Sequence, residues 1–82
     1  MATPAVYTEV QVAIRETILS LVRSLTSLTP EQMLDASHQI AMLLQQHGPA
    51  ILTEAERKNL NTIGYILSRR ARSDDIDFLM TL

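Results

Sequence analysis

The chain has no cysteine, no tryptophan and only two glycines in 82 residues. Without cysteine there can be no disulfide and no thiolate metal site, and the composition suits a reducing cytoplasm. The scarcity of glycine matters because no Asn-Gly or Asp-Gly pair and no sustained period-two alternation is present, so the signals of hairpins and half-buried strands are missing. Aromatic residues amount to 4%, so any core must be built from Leu, Ile, Val, Met and Ala. A dominant charge is lacking as well. Arg15 and Arg23 stand against Glu9, Glu16, Glu31 and Asp35 in residues 1–52, while five cations balance five anions in residues 53–82, for a net charge of −2. A nucleic-acid binder is expected to be far more basic. No run approaches the roughly 18 uncharged apolar residues of a membrane span, and no basic segment leads into an apolar run at the start, so neither a membrane span nor a signal peptide is expected.

What is present is aliphatic bulk. The hydrophobic fraction is 46% and the mean hydropathy +0.08, both high for a domain this small, which has much surface to cover with polar groups. A core of this size rarely supplies more than about 3–5 kcal/mol unaided. With disulfides excluded, an interface with another chain is the plainest destination for the excess apolar surface.

The spacing predicts an all-α fold: a three-helix bundle with a short C-terminal helical segment, forming one domain completed by dimerisation. The helices fall at about 4–26, 30–47, 54–72 and 74–81. Thr3-Pro4 supplies a hydroxyl cap and a proline for the first helix. Its stripe Tyr7, Val10, Ile14, Ile18, Leu21, Leu25 and Leu28 has helical spacing. Thr29-Pro30-Glu31-Gln32 is a capping box, with Leu28 and Met33 placed as a hydrophobic staple. Met33, Leu34, Ala36, Ser37, Ile40, Ala41, Leu43 and Leu44 form the second helix's inner face, and Gly48-Pro49 stops it. Thr53 to Glu56 is another capping box. The third inner face is Leu60, Ile63, Gly64, Leu67 and Ala71, with Gly64 lining a close helix crossing. Ser73 followed by Asp74 and Asp75 can cap a fourth helix.

The first helix carries a second apolar side, Val12, Leu19 and Val22, which one small core does not require. Together with Ile76, Phe78, Leu79, Met80 and Leu82 of the apolar tail, it is the expected partner or dimer interface.

Little in the chain carries chemistry. His38 and His47 lie nine apart, whereas zinc-binding helices place His pairs four apart. Asp74, Asp75 and Asp77 are explained by a helix start, where negative charge is favoured. The hydroxyls lie mostly at caps. No cofactor, metal site or enzymatic activity is expected. The strongest polar feature is the run Arg69-Arg70-Ala71-Arg72. Lys58, Tyr65, Arg69 and Arg72 share one side of a helix over 54–72 and could grip phosphates or an acidic protein surface.

The phrase Leu52-Thr53-Glu54-Ala55-Glu56-Arg57 resembles the start of a LuxR-type DNA-binding region. The likeness covers six residues and the rest of that pattern does not follow. It implies a helix-turn-helix with 54–72 as the recognition helix, opening on Glu54 and Glu56, which suit phosphates badly. The preferred expectation is a cytoplasmic, non-enzymatic regulator or adaptor acting by protein–protein contact, of the size of bacterial, phage or prophage antirepressors. The alternative is a small DNA-binding transcriptional regulator.

Overall fold

A computed structural model describes residues 7–82. Four α-helices follow one another: α1 (Glu9–Ser24), α2 (Pro30–His47), α3 (Glu54–Ser68) and α4 (Asp74–Met80). A 3-10 turn at Leu25–Ser27 joins α1 to α2, and another at Pro49–Ile51 joins α2 to α3. No strand occurs among the described residues. Every helix contributes fully buried side chains to one aliphatic core: Ile18 from α1, Met33, Ile40 and Leu44 from α2, Leu60 and Leu67 from α3, and Ile76 and Leu79 from α4. The architecture is an all-α bundle.

Three of the helix starts use one device. Thr8, Thr29 and Thr53 are N-caps whose hydroxyls accept the amides of Gln11, Gln32 and Glu56, and those three side chains accept the threonine amides in return. Each box satisfies two amides that the first turn would leave open. The boxes at Thr29 and Thr53 are as expected. The first helix is a correction, because it opens at Glu9 behind Thr8 rather than at Thr3-Pro4, a pair that lies outside the described residues.

The expected inner face of α2 holds. Met33, Ala36, Ser37, Ile40, Ala41 and Leu44 are buried and Leu34 and Leu43 half-buried, while Asp35, His38, Gln39, Met42, Gln45 and Gln46 face outward. Gly48 ends α2 at φ +85°, ψ 144°. Its positive φ is the conformation only glycine adopts cheaply.

The third helix is shorter than expected. It ends at Ser68, a turn follows at Arg69-Arg70, and residues 71–73 connect to α4. The chain reverses here because α4 must bury Ile76 and Leu79, which a straight continuation would leave in water. Ser73 opens α4 by accepting the Ile76 amide. α4 then folds back along α3, and Asn61 Nδ2 donates to the Met80 carbonyl.

Gly64 is the point of closest approach. A Cβ built there would lie 3.1 Å from Met80 Cγ, 3.2 Å from Leu79 Cβ and 3.2 Å from the Met80 backbone nitrogen. The backbone neighbour cannot rotate away, so α4 itself would have to move. Gly64→Ala is expected to destabilise the protein by about 1–2 kcal/mol net, although alanine is the better helix former. Thermal unfolding followed by circular dichroism should show a fall of roughly 4–8 °C per kcal/mol. Ser37 gives the opposite expectation. It is fully buried and its hydroxyl has no partner, so Ser37→Ala should leave the melting temperature unchanged or raise it.

Candidate functional site

The strongest polar arrangement joins α1 to the opening of α3. The Arg15 guanidinium forks onto Glu56, with Nη1 to Oε1 at 2.8 Å and Nη2 to Oε2 at 3.0 Å. Nη1 also donates to the Ile51 carbonyl at 2.7 Å, and the Tyr7 ring lies under the guanidinium, 4.4 Å from its carbon. Glu56 Oε1 simultaneously accepts the Thr53 amide at 2.8 Å. The two side chains are only 16% and 22% exposed, so water screens the pair less than a surface salt bridge.

The electrostatics follow from this geometry. The hydrogen bonds from Arg15 hold the Glu56 carboxyl below its ordinary 4.5, burial opposes that effect, and the Thr53 amide and hydroxyl add to the lowering. The same hydrogen bond raises Arg15 above its ordinary value, against desolvation. A carboxylate that holds its charge and a cation that cannot release a proton are poorly suited to acid–base catalysis near neutral pH. The arrangement is a clamp.

The residues expected at a partner interface separate into three groups. Ile76 and Leu79 are fully buried in the chain's own core, which corrects their assignment to a partner: the turn at Arg69-Arg70 directs their side of α4 inward. Val22 also packs against the core, as do the half-buried Phe78 and Leu82, and Met80 lies over Gly64. Val12 is exposed, and Leu19 is half-buried. The second apolar side of α1 therefore reduces to Val12 and Leu19, while Val10, expected in the core stripe, is exposed on the opposite side of the helix.

The basic cluster is likewise dispersed. Lys58 lies 3.5 Å from Glu54 on the same face of α3. Tyr65 and Arg69 remain exposed, and Ile66 beside them is exposed too. Arg72 lies beyond the helix end, a correction to its place on a helix over 54–72, and Arg70 turns to donate to the Thr26 carbonyl at 3.3 Å. His38 meets Asp75 of α4 at 3.2 Å rather than His47, and no group of three metal-ligating side chains occurs among the described residues. No described helix is long and apolar enough to cross a membrane.

Two features escaped the sequence. One is the Arg15 clamp, since nothing in the spacing links positions 41 residues apart. The other is a cleft of about 360 Å³ where the ends of α2 and α4 meet the start of α3, with Arg57 on its wall. Comparison of the chain with protein-family models, with curated proteins and with solved structures finds no match in any of the three.

The clamp makes stability depend on pH. Glu56 is depressed in the folded protein, so its contribution is complete above the ordinary carboxylate range and is lost as pH falls through the folded value. Wild type is expected to lose stability below about pH 5 more steeply than Glu56→Gln, as read by urea unfolding at a series of pH values. Near neutral pH, Arg15→Ala should cost about 2 kcal/mol, because it strands a half-buried carboxylate and the Ile51 carbonyl.

Proposed function

We propose that the protein is a small non-enzymatic regulator or adaptor that works by protein–protein contact, first of all with a second copy of itself through α1. The outward side of α1 carries this reading. Val12, Glu16, Leu19 and Arg23 recur at helical spacing on that side, and Ala13 and Ser20 beside them are small enough for another helix to approach closely. Val12, Ala13, Glu16, Ser20 and Arg23 are all exposed. The charges are self-complementary. Two copies laid antiparallel about Leu19-Ser20 bring Glu16 of each opposite Arg23 of the other, a pairing that fits the two-fold symmetry of most homodimers. The proposed setting is the cytoplasm of a bacterium or of a phage-infected cell, where a small regulator, adaptor or antirepressor would act.

The DNA-binding alternative ranks second. Lys58, Tyr65 and Arg69 do share an exposed face of α3. However, Glu54 sits beside Lys58, and Arg70 and Arg72 do not extend that face.

Sedimentation equilibrium tests the proposal. The expected mass is twice the 9.2 kDa of the chain, and Leu19→Glu should return it to the monomer while circular dichroism remains helical. Glu16→Arg and Arg23→Glu should each weaken association, and the double reversal should restore it. A wild-type monomer at high micromolar concentration would overturn the α1 dimer. Salt-sensitive duplex-DNA binding, measured by anisotropy and lost in Arg69→Ala, would promote the alternative.

A further inference from the structure

The cleft at the far end of the bundle from the first turn of α2 is the second surface with chemical content. Its floor is aliphatic and aromatic: Leu44 is fully buried, and Phe78 and Leu82 are half-buried. Pro49 forms one wall and Arg57 another. Beside Gly48, the space that a Cβ would occupy is open for 4 Å. A volume of about 360 Å³ is near the small end of ligand sites, about 300–1,000 Å³. It is suited to one large side chain rather than a nucleotide or a lipid tail.

Arg57 decides the charge of the occupant. It is half-buried, yet its guanidinium forms no ion pair and no hydrogen bond among the described residues. Arg15, by contrast, is engaged by Glu56 and Ile51, and Arg70 has the Thr26 carbonyl. The helix ends that meet at the cleft do not use Arg57. The Leu44 carbonyl takes the Gly48 amide, the Phe78 and Leu79 carbonyls take the Thr81 and Leu82 amides, and the Met80 carbonyl takes Asn61. A guanidinium with open donors at the wall of an apolar cleft favours a carboxylate, which it can grip with two parallel bonds. One cation is too few for a polyphosphate.

We infer that this cleft is a docking site for an acidic–apolar segment of a partner protein, with a large apolar side chain seated against Phe78 and Leu82 and a neighbouring carboxylate held by Arg57. The inference rests on the protein-contact reading but not on the α1 dimer, which lies on different residues.

Amide NMR titration tests it with three probes of one shape: phenylacetate, neutral phenylacetamide and cationic phenethylamine. Phenylacetate should shift the Gln45, Gly48, Thr81 and Leu82 amides saturably, the neutral probe should bind more weakly and the cation most weakly. Arg57→Gln should weaken phenylacetate by about tenfold with the remaining spectrum intact, and Arg69→Gln, at an exposed cation outside the cleft, should change nothing. A capped Gly-Phe-Asp-Gly peptide should bind more tightly than phenylacetate and lose that advantage when Asp becomes Asn. Equal binding of the three probes, or an Arg57→Gln variant that binds like wild type, would overturn the site. Binding of phenylacetate without the peptide would overturn the protein partner in favour of a small carboxylate. Sedimentation of Arg57→Gln should match wild type, which separates failure of this site from failure of the dimer.

Discussion

One charge pair ties the start of the chain to the middle. Arg15 projects from α1 and binds both oxygens of Glu56 and the carbonyl of Ile51. Ile51 belongs to the turn between α2 and α3, and Glu56 is the residue that closes the Thr53 capping box. A single guanidinium thus fixes the turn, the entry of α3 and the position of α1 together. Glu56 would cap α3 without Arg15. With Arg15 present, the cap is also a tertiary contact, and its carboxylate is held ionised by the partner it positions. Because Glu56 is held by both the cap and the cation, removing either partner leaves the other half-satisfied in a partly dry site.

The other end of the molecule is organised by absence of a side chain. Gly64 lets the backbone of α4 lie against α3, and Asn61 one turn earlier secures the Met80 carbonyl. A helix of seven residues such as α4 has little stability alone, since short isolated helices are marginal in water. It persists because Ile76 and Leu79 complete the core and because Ser73 and three aspartates favour its first turn. The same fold-back brings Phe78 and Leu82 beside Leu44 and Arg57. The cleft is a by-product of how the core is closed, and its chemistry comes from Arg57, which has no ion-pair partner among the described residues.

The apolar surplus that marks the composition is largely internal. Ile76, Leu79 and Val22, read from spacing as partner-facing, contribute to the chain's own packing. What remains outside is narrower: Val10 and Val12 on α1, Tyr65 and Ile66 on α3, and Met42 on α2. On α1 the exposed Val12 stands beside charges of both signs and small side chains, a composition suited to a helix partner. On α3 the exposed pair is surrounded by Lys58 and Arg69, which gives that face a different character. Separate faces of one small bundle can therefore serve separate contacts without sharing residues.

Local chemistry was legible from residues alone. Thr29 with Gln32, Thr53 with Glu56, Gly48-Pro49 and the period of α2's buried face each depend on neighbours within one or two turns, and each holds in the structure. The Thr8–Gln11 box rests on the same local chemistry. Gly64 signalled a close crossing because a mid-helix glycine is costly unless something approaches it, but its partner, α4, could not be named. Long-range pairing was not legible, because periodicity identifies the face of a helix that is apolar and says nothing about which surface it meets. Arg15 is one of several cations until the fold sets it beside Glu56, and Arg57 is another until the fold places it on the wall of a cleft. The sequence itself specified the helical character, the caps at Thr29, Thr53 and Ser73 and the inward face of α2, since those follow from hydrogen bonds and spacing along one segment. Which apolar residues face inward in α4, which cation is locked onto Glu56 and which lines the cleft followed from packing, since these depend on contacts between segments far apart in the chain.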